Sequence, residues 1–283
     1  MSSFLHSFKD RTVKGNWLRD RNPAIAARKV SRDVRQSTPD STVELLLEAP
    51  DLARKLIPGQ FAHVLTPGRL RRPLSFSRVQ GEAVGLLFRV VGAGTAWLAQ
   101  RRPGEQLDLI APLGHGFPDP GPGPLCLVGG GVGIPPLYLA AQRWSSLRSM
   151  TVMLGARTAH HLIMVEDFSH LGLSPQLCTD DGSRGEPVAV TALLPRWLKG
   201  HPDGQVMACG PMAMLETVAG LVGHHHPAWL ALEQRMGCGV GACLACVVPA
   251  IGPNGPQWVR VCHDGPVFAA NALIFPSQTA VIG

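Results

Sequence analysis

The pattern of hydrophobic and polar positions changes once along this chain of 283 residues. Residues 24–118 contain short apolar or alternating runs that are separated by Pro and Gly, which predicts a small antiparallel β-barrel. These runs lie at 42–49, 61–65, 83–91 and 106–110. From residue 119 onward, runs of strand length alternate with stretches of helical length, which predicts parallel strands joined by right-handed crossovers.

The second region predicts a doubly wound parallel sheet over residues 119–222. Its strands are expected at 125–128, 150–154, 176–179 and 205–208. Its helices are expected at 135–143, 162–171, 188–198 and 212–222. One more strand, at 227–232, leads into a small C-terminal module that we assign to residues 223–283. With a tail over residues 1–23, the chain is predicted to be a multidomain β and α/β protein.

The formal charge of +6 is concentrated at the N-terminus. Residues 1–36 carry nine Lys or Arg against three Asp, and the rest of the chain is balanced. A basic tail of this kind is usually a solvated extension, with a role at phosphates or at a membrane surface as the minor alternative. We therefore expect no nucleic-acid partner.

Composition also indicates whether the chain crosses a membrane and in which compartment the protein is expected. Residues 121–142 carry no charge, but their Gly and Pro residues argue against a spanning helix and favour a buried strand followed by a loop. With no secretory leader and only seven cysteines, a disulfide framework is not expected either. The sequence predicts a cytoplasmic protein without a membrane span.

Four cysteines near the C-terminus are the most specific chemical signal in the chain. Cys238, Cys243, Cys246 and Cys262 follow the spacing C-x4-C-x2-C…C, which is typical of a plant-type [2Fe–2S] cluster. Three thiolates must converge from nine residues of chain, and the intervening glycines permit the tight backbone that this requires. A structural zinc site is the alternative, although zinc more often takes two close pairs of cysteines.

Two glycine-containing turns follow strands of the predicted sheet. Residues 129–136 read Gly-Gly-Gly-Val-Gly-Ile-Pro-Pro before a helix, although they do not match the dinucleotide fingerprint G-x-G-x-x-G. Such a turn lets backbone amides approach a pyrophosphate, but it also occurs as a plain tight turn. The second turn, Ala208-Cys-Gly-Pro-Met212, lies at the carboxyl edge, where open α/β sheets bind ligands. Its Cys209 either lies against a reactive ring or is a small buried residue.

The predicted barrel contains two further candidate segments. In Arg71-Arg-Pro-Leu-Ser-Phe-Ser77, which we interpret as a Pro-set turn, Arg72 suits a phosphate and Ser75 can donate to a ring nitrogen or carbonyl. Gly92-Ala-Gly-Thr95 follows a predicted strand and offers close backbone approach with one hydroxyl. Taken singly, each segment is equally compatible with a surface arginine or an ordinary turn.

Taken together and in order, these segments resemble one family. The other segments that carry the resemblance are Pro112–Phe117, Thr179–Ser183 and Glu233–Cys243. The chain is similar to the electron-transfer subunit of the NAD-dependent, two-subunit dihydroorotate dehydrogenases of bacteria, a branch of the ferredoxin reductase superfamily. The resemblance covers roughly residues 25–270 and is most specific at the cysteines and at Cys262-His-Asp-Gly-Pro-Val-Phe268.

The resemblance implies a cofactor for each domain and the residues that hold it. The barrel over 24–118 is expected to bind FAD, the α/β domain over 119–222 to bind NAD, and the module over 223–283 to hold a [2Fe–2S] cluster. The implied FAD contacts are Arg72, Pro73, Leu74, Ser75, Gly94 and Thr95. The implied NAD contacts are Gly130, Gly131, Gly133, Cys209 and Gly210. The implied cluster ligands are Cys238, Cys243, Cys246 and Cys262.

Two features depart from the family pattern, and a third bears on the choice of cofactor. His115 stands where the family usually has Asn, and the basic tail is longer than usual, which puts partner contacts in doubt more than chemistry. Arg157 follows the second parallel strand, where a guanidinium can bind a 2′-phosphate. NADP therefore stays open as an alternative to NAD.

The implied function follows from what each carrier can exchange. A nicotinamide takes two electrons as hydride, a cluster passes one, and a flavin can do both, so FAD is expected between them. The resemblance implies that electrons pass from an FMN-containing dihydroorotate dehydrogenase catalytic subunit through the cluster and FAD to NAD+, in de novo pyrimidine (UMP) biosynthesis. The implied assembly is a heterotetramer of two plus two.

The chain is thus expected to be one half of an enzyme. Its sequence offers no site for orotate and no certain catalytic residue, with Cys209 as a possible residue near the nicotinamide. Two alternatives stay open. One is the flavin and iron–sulfur subunit of an NADPH–ferredoxin or sulfide-type reductase, and the other is a zinc-bearing regulatory module that is not an enzyme.

Overall fold

Six strands in the first region close into an antiparallel barrel. The structure, a computed structural model, describes residues 24–36, 42–68, 70–275 and 277, so the predicted tail over residues 1–23 lies outside the described residues. The barrel strands are β1 Ala24–Gln36, β2 Thr42–Glu48, β3 Phe61–Thr66, β4 Leu70–Gln80, β5 Ala83–Arg89 and β6 Gln106–Leu113. Around the barrel they follow the order β1-β2-β5-β4-β3-β6. The predicted barrel is confirmed.

Apolar side chains at alternate positions of the strands fill the interior of the barrel. Leu45 and Leu47 on β2, Phe76 on β4, Leu86 on β5 and Leu109 on β6 are all at most 1% exposed and pack into one cluster. Burying side chains of this size contributes about 1.5–3 kcal/mol each. Two short helices, α1 Pro50–Lys55 and α2 Ala93–Ala99, complete this region.

β4 changes its pairing partner halfway along its length. Its first half, up to Ser75, pairs with β3, whereas Phe76 and the residues after it pair with β5. Pro73 has no N–H to donate. It is tolerated at this position because the first half of β4 pairs with β3 on one side and has no described strand partner on the other. The segment 71–77 is therefore a strand, and our interpretation of it as a Pro-set turn is wrong.

The second region forms a sheet of five parallel strands with one antiparallel edge strand. The parallel strands are β7 Leu125–Gly130, β8 Met150–Ala156, β9 Gln176–Thr179, β10 Gln205–Cys209 and β11 Ala228–Ala231. A hairpin follows, made of β12 Val247–Gly252 and β13 Gly255–Arg260, and then β14 Val267–Ala269 pairs antiparallel with β11. The order is β14-β11-β10-β7-β8-β9. Residues 223–283 thus supply two strands of this sheet as well as the cysteine segment.

Helices cover both faces of this sheet. They are α3 Ile134–Trp144, α4 Val165–His170, α5 Leu194–Gly200 and α6 Met212–Val222. On β7, Leu125 and Leu127 pack in one core cluster with α3 and α4, whereas Cys126 and Val128 pack in another with α5 and α6. Alternate residues of a strand face opposite sides, so this division confirms the doubly wound arrangement. The predicted helix at 188–198 is a short 3-10 turn, Val190–Leu193, followed by α5.

One buried arginine joins the barrel to the α/β domain. Arg78 on β4 bonds Glu44 of β2 at 2.8 Å through Nε and Asp167 of α4 at 2.8 Å through Nη1. Its guanidinium also lies over the ring of Tyr138 on α3, 5.1 Å from the centroid. Burial opposes the charge, but the bonds to both carboxylates raise the pKa of Arg78, so the cation is retained. The two domains therefore meet through a largely buried charged network.

Within the described residues, no helix is both long enough and apolar enough to span a bilayer. The uncharged stretch 121–142 is divided between β7, the glycine turn and the first part of α3.

Replacing Arg78 with Ala is expected to destabilise the protein by about 3–5 kcal/mol, because Glu44 would be left buried without its partner. The midpoint of urea unfolding, followed by tryptophan fluorescence, measures this change. The control is Arg54→Ala, since the Arg54–Asp51 pair is exposed on both sides and its loss should cost about 0.5 kcal/mol or less. Equal shifts for the two variants would contradict the role given to Arg78.

Candidate functional site

A single cavity lies where the barrel, the parallel sheet and the cysteine segment meet. Its volume is about 730 Å³. The barrel wall comes from β4, the sheet wall from the turns after β7 and β10, and the third wall from residues 231–236, which lead to the first cluster cysteine. A volume of this size suits a cofactor or a small ligand. The segments that were singled out in separate parts of the sequence therefore share one space.

The predicted flavin residues on β4 line this cavity. Arg72, Pro73, Leu74 and Ser75 are all in its wall. On the side that faces the cavity, this part of β4 has no described strand partner, so its backbone also faces the cavity. Arg72 has no carboxylate partner among the described residues, and its Nη1 donates only to the carbonyl of Arg71. Its guanidinium is thus available to an anionic group in the cavity.

The neighbouring Arg71 has a structural role instead. Its Nη1 donates to the carbonyl of His63 at 3.0 Å, and its Nη2 bonds Asp108 at 2.9 Å. These contacts tie β4 to β3 and β6. Of the two consecutive arginines, only Arg72 keeps its charged head free of a carboxylate among the described residues.

Gly94 and Thr95 lie in the first turn of α2 rather than in an irregular loop. A methyl group on Gly94 would lie 3.0 Å from Nε of Arg72, so the glycine lets the guanidinium approach the helix. The Thr95 hydroxyl accepts from the amides of Val91 and Gly92 and donates to the carbonyl of Gly92. That hydroxyl is saturated by its own turn. Thr95 therefore shapes the cavity wall and has no free donor for a phosphate.

The two glycine turns of the sheet touch each other backbone to backbone. β7 and β10 are neighbours, with Gly129 opposite Cys209. A methyl group on Gly133 would lie 2.4 Å from the carbonyl oxygen of Cys209 and 2.6 Å from the amide nitrogen of Gly210. No other residue type fits at position 133. Gly133, Cys209 and Gly210 all line the cavity, opposite the barrel residues.

The other two glycines of the predicted nicotinamide set are placed differently. Gly130 packs against α6, since a methyl group there would lie 2.8 Å from Sδ of Met214. Gly131 has a positive φ of 53° and open space around it. Neither belongs to the described lining of the cavity. Glycine is required at position 130 because of close packing and at position 131 because of the backbone conformation.

Cys209 is a neutral thiol in the cavity wall. Burial, followed by the negative charge of Glu233, raises its pKa to about 12. At neutral pH it is therefore neither a thiolate nucleophile nor a base. The residue can contact a ring by its shape and polarisability, but it has no acid–base role there.

The cysteine segment is a loop whose amides point at sulfur. The amides of Ala242 and Cys243 donate to Sγ of Cys238 at 3.2 and 3.4 Å. The amide of Gly241 donates to Sγ of Cys262 at 3.1 Å, and the amide of Cys262 donates to Sγ of Cys246 at 3.4 Å. Hydrogen bonds of this kind stabilise negative charge on thiolates and on cluster sulfides. Burial works against ionisation of Cys238, but the amides of Val240 and Cys243 lower its pKa to about 6.

Ionisation of the four thiols is linked in two pairs, because Cys243 affects the pKa of Cys238 and Cys246 affects the pKa of Cys262. Burial, followed by the contact with Cys246, raises the pKa of Cys262 to about 12, since two adjacent thiolates repel. Across the described chain, no three His, Cys, Asp or Glu side chains converge on a point where one ion could bind. Two pairs of thiolates match the two irons of a [2Fe–2S] cluster, so the donor set fits that group.

The loop conformation depends on glycine at two positions and on one ion pair. Gly239 and Gly241 have φ values of 71° and 83°, in the left-handed region. Arg260 at the end of β13 bonds Asp264 through its amide, Nε and Nη2, and its Nη1 donates to the carbonyl of Gly241 at 3.2 Å. This network fixes the turn that carries Cys262 to the loop that carries the other cysteines.

Sequence reasoning missed two side chains at the site, Arg260 and His63, which is fully buried beside Gly239. It identified the segment 233–236 through the family resemblance but not its place in the cavity wall. The position of His115, which departs from the family pattern, is also informative. Its amide donates to the carbonyl of Gly265 at 2.6 Å, so this departure lies where the barrel meets the cluster module.

Comparison with protein families gives one match within this region. The model of the iron–sulfur cluster binding domain of dihydroorotate dehydrogenase B matches residues 233–274. The matched range includes all four cysteines, the β12–β13 hairpin and the Arg260–Asp264 pair.

Two relatives that match most of the chain share one description. The chain is 37% identical over 245 residues to the "dihydroorotate dehydrogenase B (NAD(+)), electron transfer subunit" of Desulforamulus reducens, covering 83% of this chain and 93% of that one. It is 39% identical over 246 residues to the protein of the same description from Geobacillus kaustophilus, with the same coverage.

Solved structures agree on the architecture. An NADH-dependent reduced ferredoxin–NADP oxidoreductase superposes with a TM-score of 0.77 at 28% identity, covering 91% of this chain and 93% of that one. Phthalate dioxygenase reductase superposes with a TM-score of 0.59 over 84% of this chain and 77% of that one. At 18% identity, the second likeness concerns the fold alone.

Gly133→Ala is expected to weaken NADH binding by about tenfold or more, because the added methyl group would force the β7 and β10 turns apart. The measurement is the NADH concentration that half-saturates flavin reduction. Gly220→Ala in α6, where no atom lies within 4 Å of the added methyl group, is the control and should leave this concentration unchanged. Wild-type NADH affinity in Gly133→Ala would count against the assignment of this turn.

Cys243→Ser is expected to remove the visible absorbance of the cluster while sparing bound FAD, because one of the four thiolate ligands is lost. Absorption spectra and the content of iron and labile sulfide measure this. Cys178→Ala, which changes a buried cysteine outside the loop, is the matched control and should retain the cluster. Loss of flavin with the cluster intact would show that the modules are wrongly assigned.

Proposed function

The chain belongs to the family of electron transfer subunits of dihydroorotate dehydrogenase B, and on this basis we propose that it passes electrons from an FMN-containing catalytic subunit, through a [2Fe–2S] cluster and FAD, to NAD+. The reaction served is the oxidation of dihydroorotate in pyrimidine (UMP) biosynthesis. The dihydroorotate itself binds to the partner, and this chain supplies the electron-transfer half of the enzyme.

One observation carries the proposal. The flavin-type strand, the two nicotinamide-type turns and the segment that leads into the cluster loop form the walls of one cavity. Electron exchange requires the carriers to lie close together, and a shared cavity brings them together. Separate pockets for the same motifs would have supported only a set of unrelated binding sites.

The residues present suit the three groups. Arg72 and the Gly94 turn suit a phosphate of FAD, and Pro73, Leu74 and Ser75 suit its ring, since all three line the cavity. Gly133, Cys209 and Gly210 on the opposite wall suit NAD, with Gly130 and Gly131 shaping the turn behind it. Cys238, Cys243, Cys246 and Cys262 suit the cluster, because backbone amides already donate to three of their sulfurs, those of Cys238, Cys246 and Cys262.

The protein's own contribution is position, burial and charge. When bound, a nicotinamide exchanges hydride, a cluster exchanges single electrons and a flavin exchanges both, so the flavin has to lie between the other two. This order is supported by the shared cavity, which the flavin-type residues of β4 and the nicotinamide-type turns line together with residues 231–236, the segment that leads to the cluster loop. Cys209, held neutral by burial, offers no competing nucleophile or base in the cavity.

The surface around the cluster supports a protein partner. Cys243 is exposed, and the nearby apolar side chains Val240, Leu244 and Trp258 are 43%, 51% and 61% exposed. Apolar groups collected beside a redox centre are typical of an interaction surface. We infer that this face receives the catalytic subunit and that the assembly is a heterotetramer of two plus two. The seven described cysteines are free thiols, which is usual in the cytoplasm.

The competing choice of NADPH rests on Arg157. This residue follows β8, is exposed, and has no ion pair with any residue that the structure describes. A guanidinium at this point of the sheet suits a 2′-phosphate. The same assay that tests the main proposal therefore compares the two nucleotides.

The decisive experiment pairs the purified protein with the FMN-containing dihydroorotate dehydrogenase catalytic subunit encoded in the same genome. The reconstituted chain alone should show flavin and cluster absorbance and should be bleached by NADH faster than by NADPH. The two chains should copurify as a complex whose mass corresponds to two copies of each chain. This complex should reduce NAD+ with dihydroorotate.

Cys243→Ser supplies the internal control, because it should keep reduction of the flavin by NADH and lose transfer from dihydroorotate to NAD+. A protein with neither a flavin spectrum nor reduction by NADH would overturn the proposal. Zinc in place of iron would support the regulatory alternative, and a preference for NADPH without a copurifying partner would support the other reductase.

A further inference from the structure

His63 lies on the outer face of the barrel, where the cluster module covers it. Its neighbours along β3, Ala62 and Val64, belong to the barrel interior, so His63 points to the opposite side. Across the ladder it faces Pro73, a wall residue of the cavity, and on its other side it pairs with Ile110. The residue is 0% exposed.

The imidazole packs directly against the cluster loop. A methyl group on Gly239 would lie 2.5 Å from Nδ1 of His63. Gly239 follows Cys238 and has a φ of 71°, so only glycine meets both requirements at this position. The ring of His63 therefore fills the wall between the strand of the flavin-type residues and the first cluster cysteine.

The ring carries hydrogen-bonding capacity that the described protein groups leave unused. Neither Nδ1 nor Nε2 has a hydrogen-bond partner among the described residues. Leaving a buried polar group unpaired is unfavourable, and an apolar side chain would avoid that cost. A buried histidine at this position therefore indicates a partner that belongs to the bound cofactor.

The neighbours of the ring narrow the choice of partner. Arg71 and Arg72 are close, but guanidinium groups have no acceptor for the ring N–H. The carbonyl of Cys238 is near enough to influence the ring, although it forms no hydrogen bond of normal geometry. Because Cys238 is the residue beside the ring, a cluster held by Cys238 would bring sulfur acceptors to this side of His63.

We propose that His63 donates a ring N–H to the sulfur set of the [2Fe–2S] cluster at Cys238 and thereby raises the reduction potential of the cluster. The inference rests on the proposed function in so far as it requires the cluster. A hydrogen bond to sulfur stabilises the reduced form more, because that form carries one more negative charge. His63 thus adjusts how an electron is shared between the cluster and the flavin.

The test compares His63→Leu, which removes the donor, with His63→Gln, which keeps one. Redox titration of the complex with its catalytic subunit, monitored by EPR of the reduced cluster, gives the potential. His63→Leu should shift the one-electron equilibrium about tenfold toward the oxidised cluster, which is a fall of about 59 mV. His63→Gln should recover at least half of that change.

The matched control is His226→Gln, since Nε2 of His226 is also buried without a partner but lies before β11, away from the cysteine loop. Its potential should equal that of the wild type. A wild-type potential in His63→Leu with a full complement of cluster would overturn the inference. So would a fall in His63→Gln as large as that in His63→Leu.

A second measurement does not depend on the Leu variant folding. In protein labelled with 15N only in histidine, pulsed EPR of the reduced cluster should detect a 15N coupling that His63→Gln loses. An unchanged coupling in His63→Gln would overturn the role of His63 while leaving the cluster in place. Absence of any reduced-cluster EPR signal would overturn the proposed function as well, so the two failures are distinguishable.

Discussion

The position of the barrel against the parallel sheet depends on the buried guanidinium of Arg78. Its bonds to Glu44 within the barrel and to Asp167 on α4 cross the boundary between the two domains. A buried charge of this kind is tolerated only when all of its partners are in place, so the network permits few relative orientations of the domains. That orientation decides whether β4 faces the turns after β7 and β10. The cavity, and hence the exchange between flavin and nicotinamide, follows from it.

The cluster loop is anchored on three sides, which a short glycine-rich segment requires. β11 and β14 on either side of it are strands of the central sheet, so its two ends are fixed to the domain that carries the nicotinamide turns. The Arg260–Asp264 pair closes the loop on itself. His63 holds it against the barrel through Gly239. The loop therefore keeps one position relative to both neighbouring carriers, while its exposed side, with Cys243, is left for a partner.

Much of the candidate site could be predicted from the sequence because its signals are local. The spacing of the four cysteines and the glycines after two strands are determined within a few residues of chain. β4 could not be predicted in this way, because Pro73 inside it argues against a strand unless one edge is known to lack a partner. His63 was missed for a related reason: alternation along β3 assigns it to a face, but only the packing of Gly239 reveals that the face is buried.

The sequence by itself determined the donor sets, the order of the barrel and sheet regions, and the family resemblance, since these depend on residue type and short-range spacing. Only the tertiary structure decided that Arg72 is free for a ligand while Arg71 is not, and that the Thr95 hydroxyl is saturated by its own turn. It also decided that ionisation of the four thiols is linked in two pairs, Cys238 with Cys243 and Cys246 with Cys262. The physical reason is common to all three. Whether a polar group is available depends on which other groups already satisfy it, and those partners are selected by packing between segments that are distant in sequence.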